Sequence, residues 1–313
     1  MMLSERVHTY GQWLKSKHGE RVHKIALDVG FTCPNRDGSK GMGGCTFCNN
    51  ASFSPNGRDR QTAAPLAEQF ESGRRGIDRC TRAKKYLAYF QAYTNTYGAV
   101  AELKRQYDQA LAMDGVIGLS IGTRPDCVPD AVLDLLSDYR QRGLEIILEL
   151  GLQSAFDATL DRVNRGHGIK EYIHSCQAAR KRGIPVCTHL IVGLPGEDAR
   201  HCMESLNIVL DIGTDGLKLH PLHVVKHTLL AKQWRQGEYA PLTREDYIGI
   251  AADLIERTPW DIVYHRITGT APADLLLAPA WCSQKWPVIN ALDTELRRRN
   301  SRQGDSHTDG KPQ

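Results

Sequence analysis

No run of eighteen apolar residues occurs in this chain, so no segment reads as a membrane-spanning helix. The start, MMLSERVHTYGQWLKSKHGERVH, lacks the apolar stretch of a secretory leader. There is no internal repeat, and no low-complexity block interrupts the body. An excess of one charge is also missing: 40 Lys and Arg face 36 Asp and Glu, a net of +4. Such a balance is too weak by itself to argue for a polyanionic partner. Hydrophobic residues at 41% and charged residues at 24% are ordinary globular proportions, which excludes a disordered, collagen-like or coiled-coil chain. The length of 313 residues suits one α/β barrel or two ordinary domains. Against this plain background stand nine cysteines, an odd number. With no leader, a cytoplasmic location is expected. In that reducing compartment cysteines serve as buried hydrophobes, metal ligands or reactive thiols rather than disulfides.

Strand-like and helix-like segments alternate along the chain. Strands are expected at 24–29, 86–93, 116–121, 145–150, 185–192 and 216–220. Helices are expected at 62–81, 100–112, 129–142, 172–182 and 197–212, two of them stopped by Gly143 and Gly183. This rhythm predicts parallel βαβ units, and right-handed crossovers curl such units into a barrel or most of one. Beyond about residue 225 the rhythm changes: helices at 243–257 and 286–299 flank a candidate added strand at 262–267. The expected organisation is an N-terminal helical segment at 1–23, a core at 24–224, an extension at 225–300 and a polar, disordered tail at 301–313.

Cys33, Cys45 and Cys48 lie in CPNRDGSKGMGGCTFC, a C-x11-C-x2-C spacing just past the first strand. Barrel enzymes place their chemistry at that carboxyl face. Three soft thiolates suit zinc or an iron–sulfur cluster. A structural zinc site wants four ligands, and no fourth Cys or His lies in the loop. A cluster held by three thiolates leaves one iron open to a small ligand. The other six cysteines read as buried hydrophobes, with Cys127, after the third strand, kept as a redox or ligand candidate.

A three-cysteine loop after the first strand of a barrel built from six strand–helix units resembles the radical S-adenosylmethionine (SAM) superfamily. The segment at 146–167 (IILELGLQSAFDATLDRVNRGH) resembles a block shared by coproporphyrinogen dehydrogenases and the Elongator catalytic subunit. Residues 190–197 (LIVGLPGE), 215–234 (DGLKLHPLHVVKHTLLAKQW), 123–126 (TRPD) and 264–272 (YHRITGTAP) extend that likeness. Over roughly residues 5–290 the chain resembles the YhcC family of bacterial radical SAM proteins. The resemblance implies a partial (β/α)6 TIM-like barrel with a C-terminal extension. It also implies a [4Fe–4S] cluster on Cys33, Cys45 and Cys48, its open iron chelated by SAM. Reductive cleavage of SAM then gives a 5′-deoxyadenosyl radical that abstracts hydrogen from a substrate.

The resemblance also places SAM contacts. Tyr93 and Thr94 stand where relatives carry a Gly-rich turn that holds the SAM amino group. Gly122 stands where relatives often carry a glutamate, and Glu149 is the expected substitute. Gln153 matches the residue that reaches the ribose. Arg165 matches the arginine that pairs with the SAM carboxylate, with Arg162 as the alternative. His189 stands where relatives often have Asp beside the ribose. A reductant protein such as flavodoxin or ferredoxin is implied.

Basic residues gather near the expected mouth: Arg124, Arg165, His167, Lys218, His220, His223 and Lys226, with His265 and Arg266 from the extension. The Elongator likeness points to tRNA modification. Two other readings stand beside it: radical oxidation of a small anionic metabolite, and a non-enzymatic, zinc-stabilised RNA-binding protein.

Overall fold

The computed structural model describes residues 3–49, 52, 64–79, 81 and 83–307. Seven strands form one parallel sheet: β1 (Val22–Leu27), β2 (Lys85–Phe90), β3 (Val116–Thr123), β4 (Glu145–Gln153), β5 (Val186–Val192), β6 (Gly216–Pro221) and β8 (Val263–Arg266), in the order β1-β2-β3-β4-β5-β6-β8. Two short strands, β7 (Val224–Val225) and β9 (Leu276–Ala278), pair antiparallel outside it. β2 to β5 are buried along nearly their whole length, as parallel strands covered on both faces must be.

Helices return the chain between strands: α2 (Leu66–Asp78), α3 (Val100–Leu111), α4 (Asp130–Gln141), α5 (Asp157–Arg162) with α6 (Ile169–Lys181), and α7 (Ala199–Ile212). Their apolar stripes pack outside the sheet, Phe70, Tyr107, Tyr139 and Tyr172 being fully enclosed. Local chemistry sets the ends of α7. Asp198 accepts hydrogen bonds from the backbone N–H groups of Arg200 and His201, and Gly213 closes the helix at φ 99°.

The sheet is curled, and its gap is filled from the N-terminus. The His8 carbonyl accepts a hydrogen bond from Tyr264 N at 2.8 Å, and Thr9 bridges Tyr264 in parallel. α1 (Tyr10–His18) then packs against both β1 and β8. The candidate added strand is thus β8, a seventh member of the barrel sheet, and the extension shares the barrel's core. α8 (Leu229–Arg235), α9 (Arg244–Arg257) and α10 (Lys285–Arg298) complete the chain.

The expected tail differs through residue 307. Gln303 is 2% exposed, and its Nε2 donates to the carbonyls of Pro259 and Ile262, each at 2.7 Å. Its Oε1 accepts from His8 N at 2.9 Å. One amide side chain docks a segment that has no apolar periodicity. Residues 308–313 and Cys80 lie outside the described residues. Among the described residues no helix is long and apolar enough to cross a membrane.

Candidate functional site

A cavity of about 430 Å³ opens at the carboxyl ends of the sheet strands. This is within the usual size of a small-molecule site. Cys33, Cys45 and Cys48 line it, as do Tyr93, Thr94, Gln153, Arg165 and His189. Eight of the nine residues singled out from the sequence therefore meet at one place.

The thiol loop is built by short backbone links and two asparagines. A turn joins Arg36 N to the Cys33 carbonyl at 2.8 Å, and Gly44 N to the Asn35 carbonyl at 2.8 Å. Gly44 takes φ 79°, and a Cβ there would stand 2.8 Å from the Arg36 side chain. Asn35 Nδ2 donates to the Asn164 carbonyl at 2.5 Å, and Asn164 Nδ2 donates to the Gly44 carbonyl at 2.8 Å. Thr46 N adds a bond to the Val163 carbonyl at 2.9 Å. The loop is stapled in this way to the segment after α5, and Arg165 follows it directly.

Two arginines face the thiols. Arg165 Nη1 lies 3.5 Å from Cys45 Sγ, while Nη2 donates to the Gly151 carbonyl at 2.6 Å. Arg36 Nη2 donates to the Cys48 carbonyl at 2.6 Å. Burial and the neighbouring Cys45 push the Cys48 thiol up, and Arg36 pulls it down. The sequence reading missed Arg36; a guanidinium three residues after the first cysteine was the available signal.

Among the described residues no three His, Cys, Asp or Glu groups converge tightly enough for one metal ion. A cluster spreads its thiolates over separate irons and asks for less convergence. The donor chemistry, three thiols around one cavity with cations beside them, fits a cluster. Two buried polar atoms of cavity-lining residues, Thr94 Oγ1 and Arg165 Nε, have no hydrogen-bond partner, and these fit a polar ligand such as SAM.

Tyr93 and Gln153 carry the backbone conformation that a glycine turn would supply. Their φ angles are 64° and 80°, both left-handed, and both residues line the cavity. Such strain in residues other than glycine gathers at functional sites. Gly151 makes room: a Cβ there would come within 2.8 Å of Gln153 Nε2 and 2.9 Å of Arg165 Nη2. Arg162 points elsewhere, donating to the Pro195 carbonyl at 2.7 Å, and does not line the cavity.

Glu149 stands apart from the other eight. It does not line the cavity and is 0% exposed. Lys24 Nζ donates to it at 2.5 Å, Ser120 Oγ at 2.6 Å and His189 Nε2 at 2.9 Å. Lys218 forms a further ion pair with it. β4 turns this side chain inward, beneath the cavity floor, where its oxygens are already taken. Burial raises the Glu149 pKa, but Lys218 and Lys24 outweigh it and hold the carboxyl well below the usual range. Burial and Lys218 lower the His189 imidazole to about 4, so it is neutral. Its Nε2–H is committed to the carboxylate, which leaves Nδ1 as an acceptor.

Cys127 does not line the cavity either, and burial pushes its thiol up to about 12. In the neighbouring TRPD segment, Thr123 and Arg124 do line the cavity. Arg124 pairs with Asp126 at 2.9 Å and donates to the carbonyls of Arg165 and Gly166, which fixes the backbone that carries Arg165.

Comparison with known proteins returns one family over most of the chain. The model of the radical SAM superfamily matches residues 32–209, and that of the radical SAM C-terminal domain matches 214–298. Protein YhcC of Escherichia coli (strain K12) is 48% identical over 297 residues, covering 95% of this chain and 94% of that protein. A tRNA uridine(34) acetyltransferase of Dehalococcoides mccartyi (strain CBDB1) is 28% identical over 63% of this chain and 44% of its own length. Among solved structures, the archaeal Methanocaldococcus infernus Elp3 with an N-terminal deletion superposes with a TM-score of 0.67 at 19% identity, covering 90% of this chain and 64% of that one. This last likeness is one of fold.

Proposed function

The chain belongs to the radical SAM superfamily of enzymes, and from that premise we propose that Cys33, Cys45 and Cys48 hold a [4Fe–4S] cluster beside a SAM seated in the cavity. When bound, these groups supply an electron and, from SAM, the 5′-deoxyadenosyl radical that abstracts a hydrogen atom. The observation that carries the reading is the convergence of three thiols and five polar residues on one cavity.

The chain's own residues have definite tasks in this reading. Arg165 offers a buried cation and an unused Nε to a carboxylate, while its Nη1 lies against Cys45. Arg36 balances negative charge on the thiolates. The left-handed turn at Tyr93 presents backbone groups to the ligand's amino end, with the Thr94 hydroxyl beside it. Gln153 and neutral His189 give the ribose a donor and an acceptor. The barrel wall excludes water from the reacting atoms. Glu149 acts from below, as a positioning residue for His189.

A reductant protein such as flavodoxin or ferredoxin delivers the electron, and tRNA is the favoured substrate. The tRNA uridine(34) acetyltransferase among the relatives supports the choice of tRNA.

Anaerobic reconstitution with iron and sulfide tests the cluster. The expected product is brown, with broad absorption at roughly 400 nm, as thiolate-bound clusters give. Cys33→Ala, Cys45→Ala and Cys48→Ala should each lose the iron; full retention in any one removes that residue from the ligand set. A colourless protein holding one zinc overturns the reading in favour of a zinc-stabilised RNA-binding protein. For the substrate, tRNA nucleosides and small metabolites are compared in cells with and without the protein. A change confined to tRNA nucleosides is expected.

A further inference from the structure

Most of the basic residues near the mouth are already occupied. Arg124 is bound by Asp126, Lys218 by Glu149, and Arg165 by a carbonyl and a thiol. Lys226 does not line the cavity. Two cations that do line it remain. Arg266 ends β8, and Lys285 begins α10. Among the described residues neither makes an ion pair with a carboxylate. Sequence reasoning had only touched on Arg266, and it passed over Lys285 because nothing marks it as part of a barrel mouth.

Their placement runs against local preference. A helix N-terminus carries partial positive charge and favours acidic side chains. α10 has none in its first turn and opens on a lysine instead. Burial lowers the Lys285 ammonium, and Arg266 stands near enough to lower it further. Two cations, one of them at a helix start, line one cavity with no carboxylate paired to them among the described residues. Violations of this kind without local compensation are expected where a ligand completes the site. Thr268 and Thr270 line the same cavity and add hydroxyl groups. The thiols belong to a different segment of the wall, stapled to the Val163–Asn164 backbone, with Arg165 as their own cation.

We propose that Arg266 and Lys285 form an oxyanion subsite that seats a carboxylate or phosphate group of the substrate, separate from the SAM carboxylate. The proposal rests on the reading of the cavity as the reaction site. A guanidinium binds either group in a bidentate manner, and the lysine adds a point charge.

The test uses the reconstituted full chain. Inorganic phosphate and succinate are titrated separately by calorimetry, with and without saturating SAM. Wild type is compared with Arg266→Gln, Lys285→Gln and the double variant, iron content confirming that each is folded and loaded. Wild type should bind at least one anion, and each substitution should weaken binding about tenfold, as loss of a charge-assisted hydrogen bond does. Preference for phosphate identifies a phosphoryl group, and preference for succinate a carboxylate. Equal anion affinity in wild type and double variant overturns the proposal, and so does the absence of binding by wild type. Slow 5′-deoxyadenosine formation by reduced wild type is read in parallel. Its absence counts against the radical reading alone, since the anion titration is also run without SAM.

Discussion

Replacing Glu149 with glutamine removes one negative charge from a place where two positive ones meet it, Lys218 buried and Lys24 half-buried. Lys24 and Lys218 both donate to this carboxylate, and its side chain is inaccessible to solvent. Glutamine keeps the shape but offers one acceptor and turns an NH₂ group toward an ammonium. Breaking a buried pair by removing one partner costs about 3–5 kcal/mol, because the remaining charge loses its compensation. A loss of that size lowers the melting temperature by roughly 10 °C in a chain of this class. The assay is urea and thermal unfolding of the purified protein, with SAM affinity measured on the folded variant. A second variant isolates the cause. Glu149→Leu together with Lys24→Met and Lys218→Met removes all three charges and should recover most of the loss, within about 1 kcal/mol of wild type. The reasoning is refuted if Glu149→Gln costs under about 1 kcal/mol while SAM affinity falls tenfold. That result would put the carboxylate in the cavity, as the sequence reading had it. A triple variant as unstable as the single one would show that packing, not charge, sets the penalty.

Acid should destabilise the fold early. Burial, aided by Lys218, Lys24 and Arg165 respectively, lowers His189 to about 4 and His265 and His167 to about 3. An unfolded histidine titrates near 6.5, so below that pH the unfolded state binds more protons and stability falls. His189 alone accounts for about 3 kcal/mol lost by pH 4, and a urea midpoint unchanged between pH 7 and pH 5 would contradict this. Gln153→Gly relieves a left-handed backbone worth about 1 kcal/mol, so stability should hold or rise while SAM binding weakens several-fold. A clear drop in stability with SAM affinity intact would make Gln153 a packing residue. Arg165→Ala should weaken SAM binding about tenfold in equilibrium dialysis and retain iron. Unchanged affinity would remove Arg165 from the carboxylate site.

The barrel was legible because its strands are short apolar runs and its helices have apolar stripes and glycine stops. The six expected strands all lie within three residues of β1 to β6 at each end. The excess fell at Gln91–Tyr93, where the backbone turns left-handed at a tyrosine, a residue that carries no turn signal. The thiol loop was legible from three cysteines at close spacing. What escaped depended on long-range partners. Glu149 looks the same in sequence whether it faces a ligand or two lysines, and only the curl of the sheet brings Lys24 and Lys218 to it. Arg36, Lys285 and Gln303 have no periodicity to mark them; their roles come from contacts across the fold.

The buried ionic group also explains how charge is apportioned in the cavity. TIM-like barrels ordinarily fill their interior with layers of branched apolar side chains. Here Lys24, Ser120, Glu149, Lys218 and His265 make a polar layer under the floor. Lys218 and His189 reach the cavity from that layer, but the first is tied to Glu149 and the second is neutral. The layer therefore keeps one positive charge, two lysines against one carboxylate, and the rim adds to it. One cationic pole, Arg36 and Arg165, faces the three thiols, which as ligands of the proposed cluster would carry the negative charge that answers it. The other pole, Arg266 with Lys285, has no such answer among the described residues. A ligand that bound only at the thiol side would leave that second pole uncompensated. β8 and the start of α10 thus favour a negative charge on the molecule opposite SAM, and the floor acts in the same direction.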